Sequence, residues 1–365
     1  MFDSEKRAEL IRPKMMIDGK YLVTRIGGSI QEADPNKILD MYFRYKNYIS
    51  GDNEFEIEWL KTSLKEVWST RFIGLVENFW SRPVSEIKKL EYQNPPYSAA
   101  NAFGGRRKEP RDYNKVFAVQ LSGCTYSCNF CYVPSEINLA NPTLGKFFSQ
   151  KEIVNYFLTA RSKSKEPMNV IRITGGEPTV IPEIIVDIYT EIERRGLEIY
   201  LWIDTNLSMT KYLERIESDL KNIMQRRNVG VVGCFKGFCK ESFSMLTGSK
   251  PEFYEKQFET AKLFLDWKTD FYVYLPALVY ENPEQKIKAF VERLRELNKN
   301  LPLRVEMLII KDYPGAVINI QEKTKQGRPM PQIDQKIVFD LWYNKLLPKY
   351  YSKELLSKFC CEIPL

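Results

Sequence analysis

Histidine is absent from this 365-residue chain. That removes the imidazole as general base, as pH switch near neutrality and as metal ligand. Long apolar runs are missing too. The longest strongly apolar stretch, Tyr272 to Tyr280, falls far short of the ~18–20 residues that span a bilayer. The opening segment, Met1-Phe2-Asp3-Ser4-Glu5-Lys6-Arg7, has no apolar signal core, so the expectation is a cytoplasmic protein without a membrane partner. A strong excess of either charge is missing. There are 54 basic and 47 acidic residues, a net +7, which aids approach to an anionic partner without specifying one. What is present is ordinary globular composition, 44% hydrophobic and 28% charged. That is enough apolar material for a substantial core and excludes a disordered chain.

Without histidine, chemistry falls to Cys, Lys, Asp, Glu or Tyr, or to a cofactor. Seven cysteines are available: Cys124, Cys128, Cys131, Cys234, Cys239, Cys360 and Cys361. In a reducing compartment a tight cysteine cluster reads as metal-binding or redox-active rather than as disulfides. Cys124, Cys128 and Cys131 stand within Gly123-Cys124-Thr125-Tyr126-Ser127-Cys128-Asn129-Phe130-Cys131. A loop can wrap three thiolates at this spacing around one face of an iron–sulfur cubane, leaving one iron for another ligand. Two other readings compete. Zinc would need a fourth ligand from a distant cysteine, and its paired C-x-x-C spacing is missing. The three thiols could also simply be unbound.

From about Asn114 the chain alternates strand and helix. Strands are expected at Lys115–Ser122, Val170–Ile173, Glu198–Thr205, Val229–Phe235, Phe271–Val279 and Arg304–Ile310. Ser149-x-x-Glu152 reads as a capping box opening a helix through Tyr156 to about Arg161. Four apolar stripes predict further helices: Ile181–Ile192, Leu213–Met224, Tyr254–Leu265 and Ile287–Leu297. Strands alternating with helices imply right-handed βαβ units and a parallel sheet. The fold class is therefore α/β, a partial (β/α)6 TIM-like barrel with N-terminal and C-terminal extensions. Ligand residues of such sheets gather at the carboxyl ends of the strands. Four marked segments fall there: the cysteine loop, Gly175-Gly176-Glu177-Pro178, Asp204-Thr205-Asn206 and Cys234-Phe235-Lys236-Gly237. Residues 1–112 break the rhythm and read as a helical extension or substrate-recognition region, with a helical stretch at Glu54–Trp80 and a basic run Arg106-Arg107-Lys108 near Arg111. Residues 113–312 form the barrel. Residues 313–365 form a C-terminal extension with a helix at about Gln332–Leu347.

Cys124, Cys128, Phe130 and Cys131 on a loop after the first strand, with Gly175-Gly176-Glu177-Pro178 about fifty residues later after the second, resemble the radical S-adenosylmethionine (SAM) superfamily. The resemblance covers roughly residues 114–312. It implies that the three thiolates hold a [4Fe–4S] cluster and that the fourth iron binds the amino and carboxylate groups of SAM. One electron then cleaves the sulfonium to methionine and a 5′-deoxyadenosyl radical, which abstracts hydrogen from a substrate. A one-electron donor such as ferredoxin or flavodoxin is implied as partner. The cofactor performs the hard step, so the missing histidine is no obstacle.

Residue roles follow. Gly175 and Gly176 permit close backbone approach, and Glu177, ahead of Pro178, offers a carboxylate to the methionine ammonium. Phe130 is expected near the adenine, with loop packing as the competing reading. Asp204, Thr205 and Asn206 lie where a ribose or carboxylate is reached, or where one of them caps a helix. Asp204-Thr205-Asn206 and the Lys236 segment look most like the activating enzymes of glycyl-radical proteins, which carry Asp-Thr-Asn-Gly and Asp-x-Lys. Here Leu207 replaces the glycine and Cys234 the aspartate. Cys234 and Lys236 are the candidate catalytic pair if their side of the strand faces the interior. Cys234, Cys239, Cys360 and Cys361 total the four ligands of an auxiliary cluster, although a single functional thiol or inert cysteines fit as well. Substrate identity is weakly marked. The basic run, the net charge and the 13% aromatic content suit a macromolecule, protein or RNA, slightly better than a small molecule.

Overall fold

The computed structural model describes residues 1–27, 116–164, 168–308, 310, 314–356, 358, 360 and 363–365. The expectations for Glu54–Trp80, for the basic run at Arg106–Arg111 and for Cys361 lie outside the described residues.

The chain opens with helix α1 (Ser4–Met15), capped by Asp3, whose side chain accepts from the amides of Glu5 and Lys6. Strands β1 (Met16–Ile17) and β2 (Lys20–Gly27) follow, joined by a tight turn at Asp18 and Gly19. Both turn residues have positive φ, 49° and 68°. This is the left-handed pair that a two-residue hairpin demands and that Asp-Gly supplies readily. β2 pairs antiparallel with β3 (Val116–Leu121) and with β4 (Lys146–Phe148). An antiparallel flap thus extends the main sheet, an addition the strand–helix rhythm did not announce.

From β3 onward the sheet is parallel: β3, β5 (Val170–Gly175), β6 (Tyr200–Thr205), β7 (Val229–Cys234), β8 (Asp270–Pro276) and β9 (Val305–Leu308), in that order. These are the six strands expected from the pattern. The fold is mixed α/β with a mostly parallel sheet, as expected of a partial barrel. Every residue of β6 is buried, as a strand covered on both faces requires. Among the described residues β9 pairs only with β8, so its outer edge is open. The Tyr343 hydroxyl covers it, accepting from the Met307 amide (3.2 Å) and donating to the Val305 carbonyl (3.0 Å).

The helices pack outside. After α2 (Ser135–Asn138) come α3 (Gln150–Lys163) and α4 (Glu183–Arg194). The capping box at α3 is complete, with Ser149 and Glu152 satisfying each other's backbone amides. α4 buries Ile184, Ile185, Ile188 and Ile192 as its stripe dictates. The single helix expected over Leu213–Met224 is instead two, α5 (Thr210–Arg215) and α6 (Glu217–Met224), broken at Ile216 (φ −124°, ψ 32°). Glu217, first in α6, accepts from the Trp267 indole at 3.0 Å, a tertiary contact at the break that periodicity does not reveal. Next come α7 (Lys240–Thr247), α8 (Phe253–Asp266) and α9 (Pro283–Leu297). α10 (Pro314–Lys325) follows β9, and α11 (Gln335–Asp340) runs on through a wider π-type turn at Leu341–Leu346. α1 is tied to α4 by the Arg12–Glu183 ion pair.

Candidate active site

The cysteine loop leaves β3 at its carboxyl end and is pinned from two sides. The amides of Gly123 and Cys124 donate to the carbonyls of Ile137 and Asn138 (2.8 and 2.9 Å), and those of Ser127 and Asn129 to Thr247 and Leu246 (3.0 and 2.9 Å). α2 and α7 therefore fix the loop, although α7 was not expected from the sequence. Two sulfurs accept directed contacts. Asn206 Nδ2 lies 3.5 Å from Cys124 Sγ, and the Val133 amide 3.4 Å from Cys131 Sγ.

The Gly175-Gly176-Glu177-Pro178 turn packs directly beneath this loop. The Gly176 amide donates to the Leu121 carbonyl (2.8 Å) and the Glu177 amide to the Gly123 carbonyl (2.7 Å). A Cβ on Gly176 would lie 1.8 Å from the Gly123 oxygen, so only glycine allows the two turns to touch. Gly175 holds φ +92°, and a Cβ there would strike the backbone of Leu121. The two motifs are one structural unit.

Glu177 is the knot of that unit. Its Oε1 accepts from the Thr179 hydroxyl (2.6 Å), the Thr179 amide (3.1 Å) and the Thr205 hydroxyl (2.6 Å). Its Oε2 accepts from the Asn206 amide (2.6 Å). Burial raises its pKa above the usual carboxylate range, while these bonds pull the other way. Pro178, also buried, starts the short turn that follows. Leu207, where the related motif has glycine, adopts the left-handed conformation regardless (φ +62°) and is buried. Its amide donates to Thr205 Oγ1 (3.0 Å) and its carbonyl accepts from Thr260 (3.0 Å). Surrounding bonds thus hold a conformation that glycine would adopt without strain.

A sequence model of the radical SAM superfamily matches residues 120–294, the span that holds the three-thiol loop and the glycine turn welded beneath it. That segment is a radical SAM domain. A 7-carboxy-7-deazaguanine synthase from Methanothermobacter thermautotrophicus is 29% identical over 98 residues, 27% of this chain and 35% of that protein. Among solved structures, SuiB of Streptococcus suis bound to S-adenosylmethionine is 16% identical with a TM-score of 0.41, covering 59% of this chain and 47% of that one. His-tagged anSMEcpe with bound AdoMet is 15% identical with a TM-score of 0.39, covering 57% of this chain and 58% of that one. The chain thus spans less than two thirds of each of these relatives. The family implies a [4Fe–4S] cluster and SAM as cofactors.

The donor set of this radical SAM domain fits such a cluster. Three cysteines share one rigid loop, and cations surround them. Arg7, from α1, donates to the Cys124 carbonyl at 2.8 Å. Arg328 donates to the Ser127 carbonyl at 3.1 Å and lies within electrostatic reach of Cys128. Lys236 is opposed by burial, but Cys234 first and then all three loop thiols raise its pKa on balance. Such positive charge suits an anionic thiolate cluster. Burial pushes the free Cys124 and Cys128 thiols up to about 11 and about 12, so ligation must displace their protons. Among the described residues no three Cys, Asp or Glu side chains converge on a single ion. A cubane instead spreads its thiolates over separate irons.

Other expected residues fall into two groups. Phe130 is half-buried at the loop tip, against the core. Thr205 and Asn206 meet Glu177 and Cys124. Asp204 is held by Arg172 (2.5 and 2.7 Å) and Thr174 (2.7 Å), all through Oδ2. Cys234 ends β7 within electrostatic reach of Asp204 and Lys236, its thiol pushed up to about 12 by burial. The remaining cysteines scatter. Cys239 precedes α7 and donates to Ser242 (3.3 Å). Cys360 is buried within electrostatic reach of Arg304 and Tyr343, at the amino end of β9 and away from Cys234. Arg7, Arg328 and Asn319, whose side chain donates to the Cys131 and Val133 carbonyls (2.5 and 3.1 Å), were not anticipated. They lie far from the motifs in sequence, and nothing local marks them.

Proposed function

We propose that this chain cleaves S-adenosylmethionine reductively and uses the resulting radical to take hydrogen from a substrate. Cys124, Cys128 and Cys131 would hold the [4Fe–4S] cluster, which would leave one iron without a protein ligand for SAM. Bound together, cluster and SAM supply a one-electron cleavage of the sulfonium to methionine and a 5′-deoxyadenosyl radical. The single observation that carries the reading is the contact of the Gly176 backbone with the Gly123 carbonyl, which seats Glu177 under Cys124.

Within that site Glu177 keeps acceptor capacity on Oε2, which makes only one bond, and this faces the SAM ammonium. Thr205 and Asn206 position Glu177, and the Asn206 amide steadies the Cys124 sulfur. Phe130 packs against the adenine. Lys236, Arg7 and Arg328 offset the cluster's negative charge. Cys234, held as the thiol at neutral pH, stands beside the site as a hydrogen-atom donor. The electron comes from an acidic carrier of the ferredoxin or flavodoxin kind, which the net +7 attracts.

The test is anaerobic reconstitution with iron and sulfide, then dithionite and SAM, with chromatography for 5′-deoxyadenosine. Product above a no-cluster control supports the reading. A fully loaded cluster that yields no nucleoside would make the chain an electron carrier or a structural cluster protein instead.

A further inference from the structure

The inward-facing residues of the upper barrel form a second polar group that the cluster site does not use. Register places Cys234, Tyr274 and Glu306 level on β7, β8 and β9. Arg172 and Thr174 on β5, with Asp204 on β6, complete the ring. The Arg172 guanidinium lies 4.2 Å from the Trp202 ring centroid, and Tyr274 lies within electrostatic reach of Arg172, Asp204, Cys234 and Glu306.

Two acceptors in this ring stand open. Glu306 is fully buried (0% exposed), and among the described residues neither of its carboxyl oxygens has a hydrogen-bond partner. Asp204 spends three bonds on Oδ2, and its buried Oδ1 has none. Buried polar atoms are nearly always paired, so unpaired ones mark either a standing cost or a missing partner. Arg172 and Asp204 cancel as an ion pair, and Glu306 is then the surplus group. A ligand that donates hydrogen bonds and carries one positive charge leaves the ring neutral and satisfied. An anion would meet two carboxyl groups and the face of a guanidinium already committed to Asp204.

We propose that Glu306, with Asp204 Oδ1, anchors a cationic nitrogen of the substrate, a primary ammonium or a guanidinium, inside the barrel beside the SAM site. This rests on the reading of the chain as a SAM-cleaving enzyme only for the word substrate, since the binding itself needs neither cluster nor SAM. Burial favours the protonated form of Glu306, with Arg172 opposing, so cation binding would release its proton.

The experiment is calorimetric titration of the full chain, without SAM, with n-propylammonium and n-propylguanidinium, and with butyrate as the anionic control. At least one cation is expected to bind wild type, and Glu306→Gln to weaken it about tenfold or more, as loss of a charged hydrogen bond does. Butyrate is expected not to bind. Should Glu306→Gln fail to fold, Glu306→Met, apolar and of similar length, takes its place with the same expectation. Absence of cation binding in wild type, equal binding in the variants, or butyrate binding as tightly as the cations would each overturn the proposal. Failure to form 5′-deoxyadenosine would leave these outcomes untouched, so the two readings fail separately.

Discussion

Two Arg–Asp pairs, each joining a buried side chain to a half-buried one, line the same barrel, one at each end, and they differ in how completely they are satisfied. At the amino end Arg304 donates to Asp270 (2.7 Å), to the Ile363 carbonyl (2.9 Å) and to the Phe271 carbonyl (3.2 Å), and it stacks over Tyr272 at 4.4 Å. The other Asp270 oxygen accepts from Tyr200 (3.1 Å). At the carboxyl end Arg172 spends itself on one oxygen of Asp204, the other is bare, and Glu306 stands unpaired nearby. A closed network fixes a structure, whereas an open one costs stability and is kept where a ligand completes it. The lower pair ties the C-terminal residues to the barrel floor. The upper pair sits with the cysteine loop.

That contrast can be broken or sharpened in order of expected effect. Cys124→Ala should abolish cluster loading, with iron after reconstitution falling from about four per chain to near zero and 5′-deoxyadenosine to background; iron near four would refute the ligand assignment, and near eight in wild type would reveal an auxiliary cluster. Arg304→Met should cost about 2–3 kcal/mol in urea unfolding, since it leaves the half-buried Asp270 carboxylate without its cation and two carbonyls without their donor, while product formed per folded chain stays unchanged. Arg172→Met should do the reverse and fall chiefly on turnover; equal behaviour of the two variants would erase the distinction between floor and mouth. Glu177→Gln should raise the apparent KM for SAM by roughly 10–100-fold, the worth of a charge-assisted hydrogen bond, and an unchanged KM would remove Glu177 from the ammonium.

The smallest effect is a slope. The Glu306 carboxyl is raised well above its ordinary 4.5 by burial, so the folded state holds its proton more tightly than the unfolded one. Its stabilisation is complete below that ordinary value and is lost as pH rises through the folded value. The stability of wild type relative to Glu306→Gln should therefore decline as pH climbs above about 4.5, and a flat difference would show that Glu306 is not shielded as the structure has it.

Much of this was readable from residues. The six parallel strands followed from alternating strand and helix stripes, and the capping box at Ser149 and Glu152 from spacing alone. The Asp18-Gly19 hairpin carries its own signal, a turn dipeptide between Met16-Ile17 and Tyr21-Leu22-Val23, which stands outside the βα rhythm. The break at Ile216 carried none, because an unbroken stripe of Leu213, Ile216 and Leu220 suits one helix as well as two. Glu177 is legible as a carboxylate near the site but not as a carboxylate already bonded by Thr205 and Asn206, since those two donors arrive from the end of another strand, while Thr179 bonds it within its own turn.

The sequence by itself determined the chemistry available: three closely spaced thiols, no imidazole, and a glycine turn, because local spacing and side-chain type set what a loop can ligate and how tightly two backbones can approach. Only the tertiary structure decided which charges meet. Arg7, Lys236 and Arg328 gather round the cysteines from distant segments, and Glu306 is left alone in the barrel because burial and partnership belong to packing between strands, which period and composition do not encode.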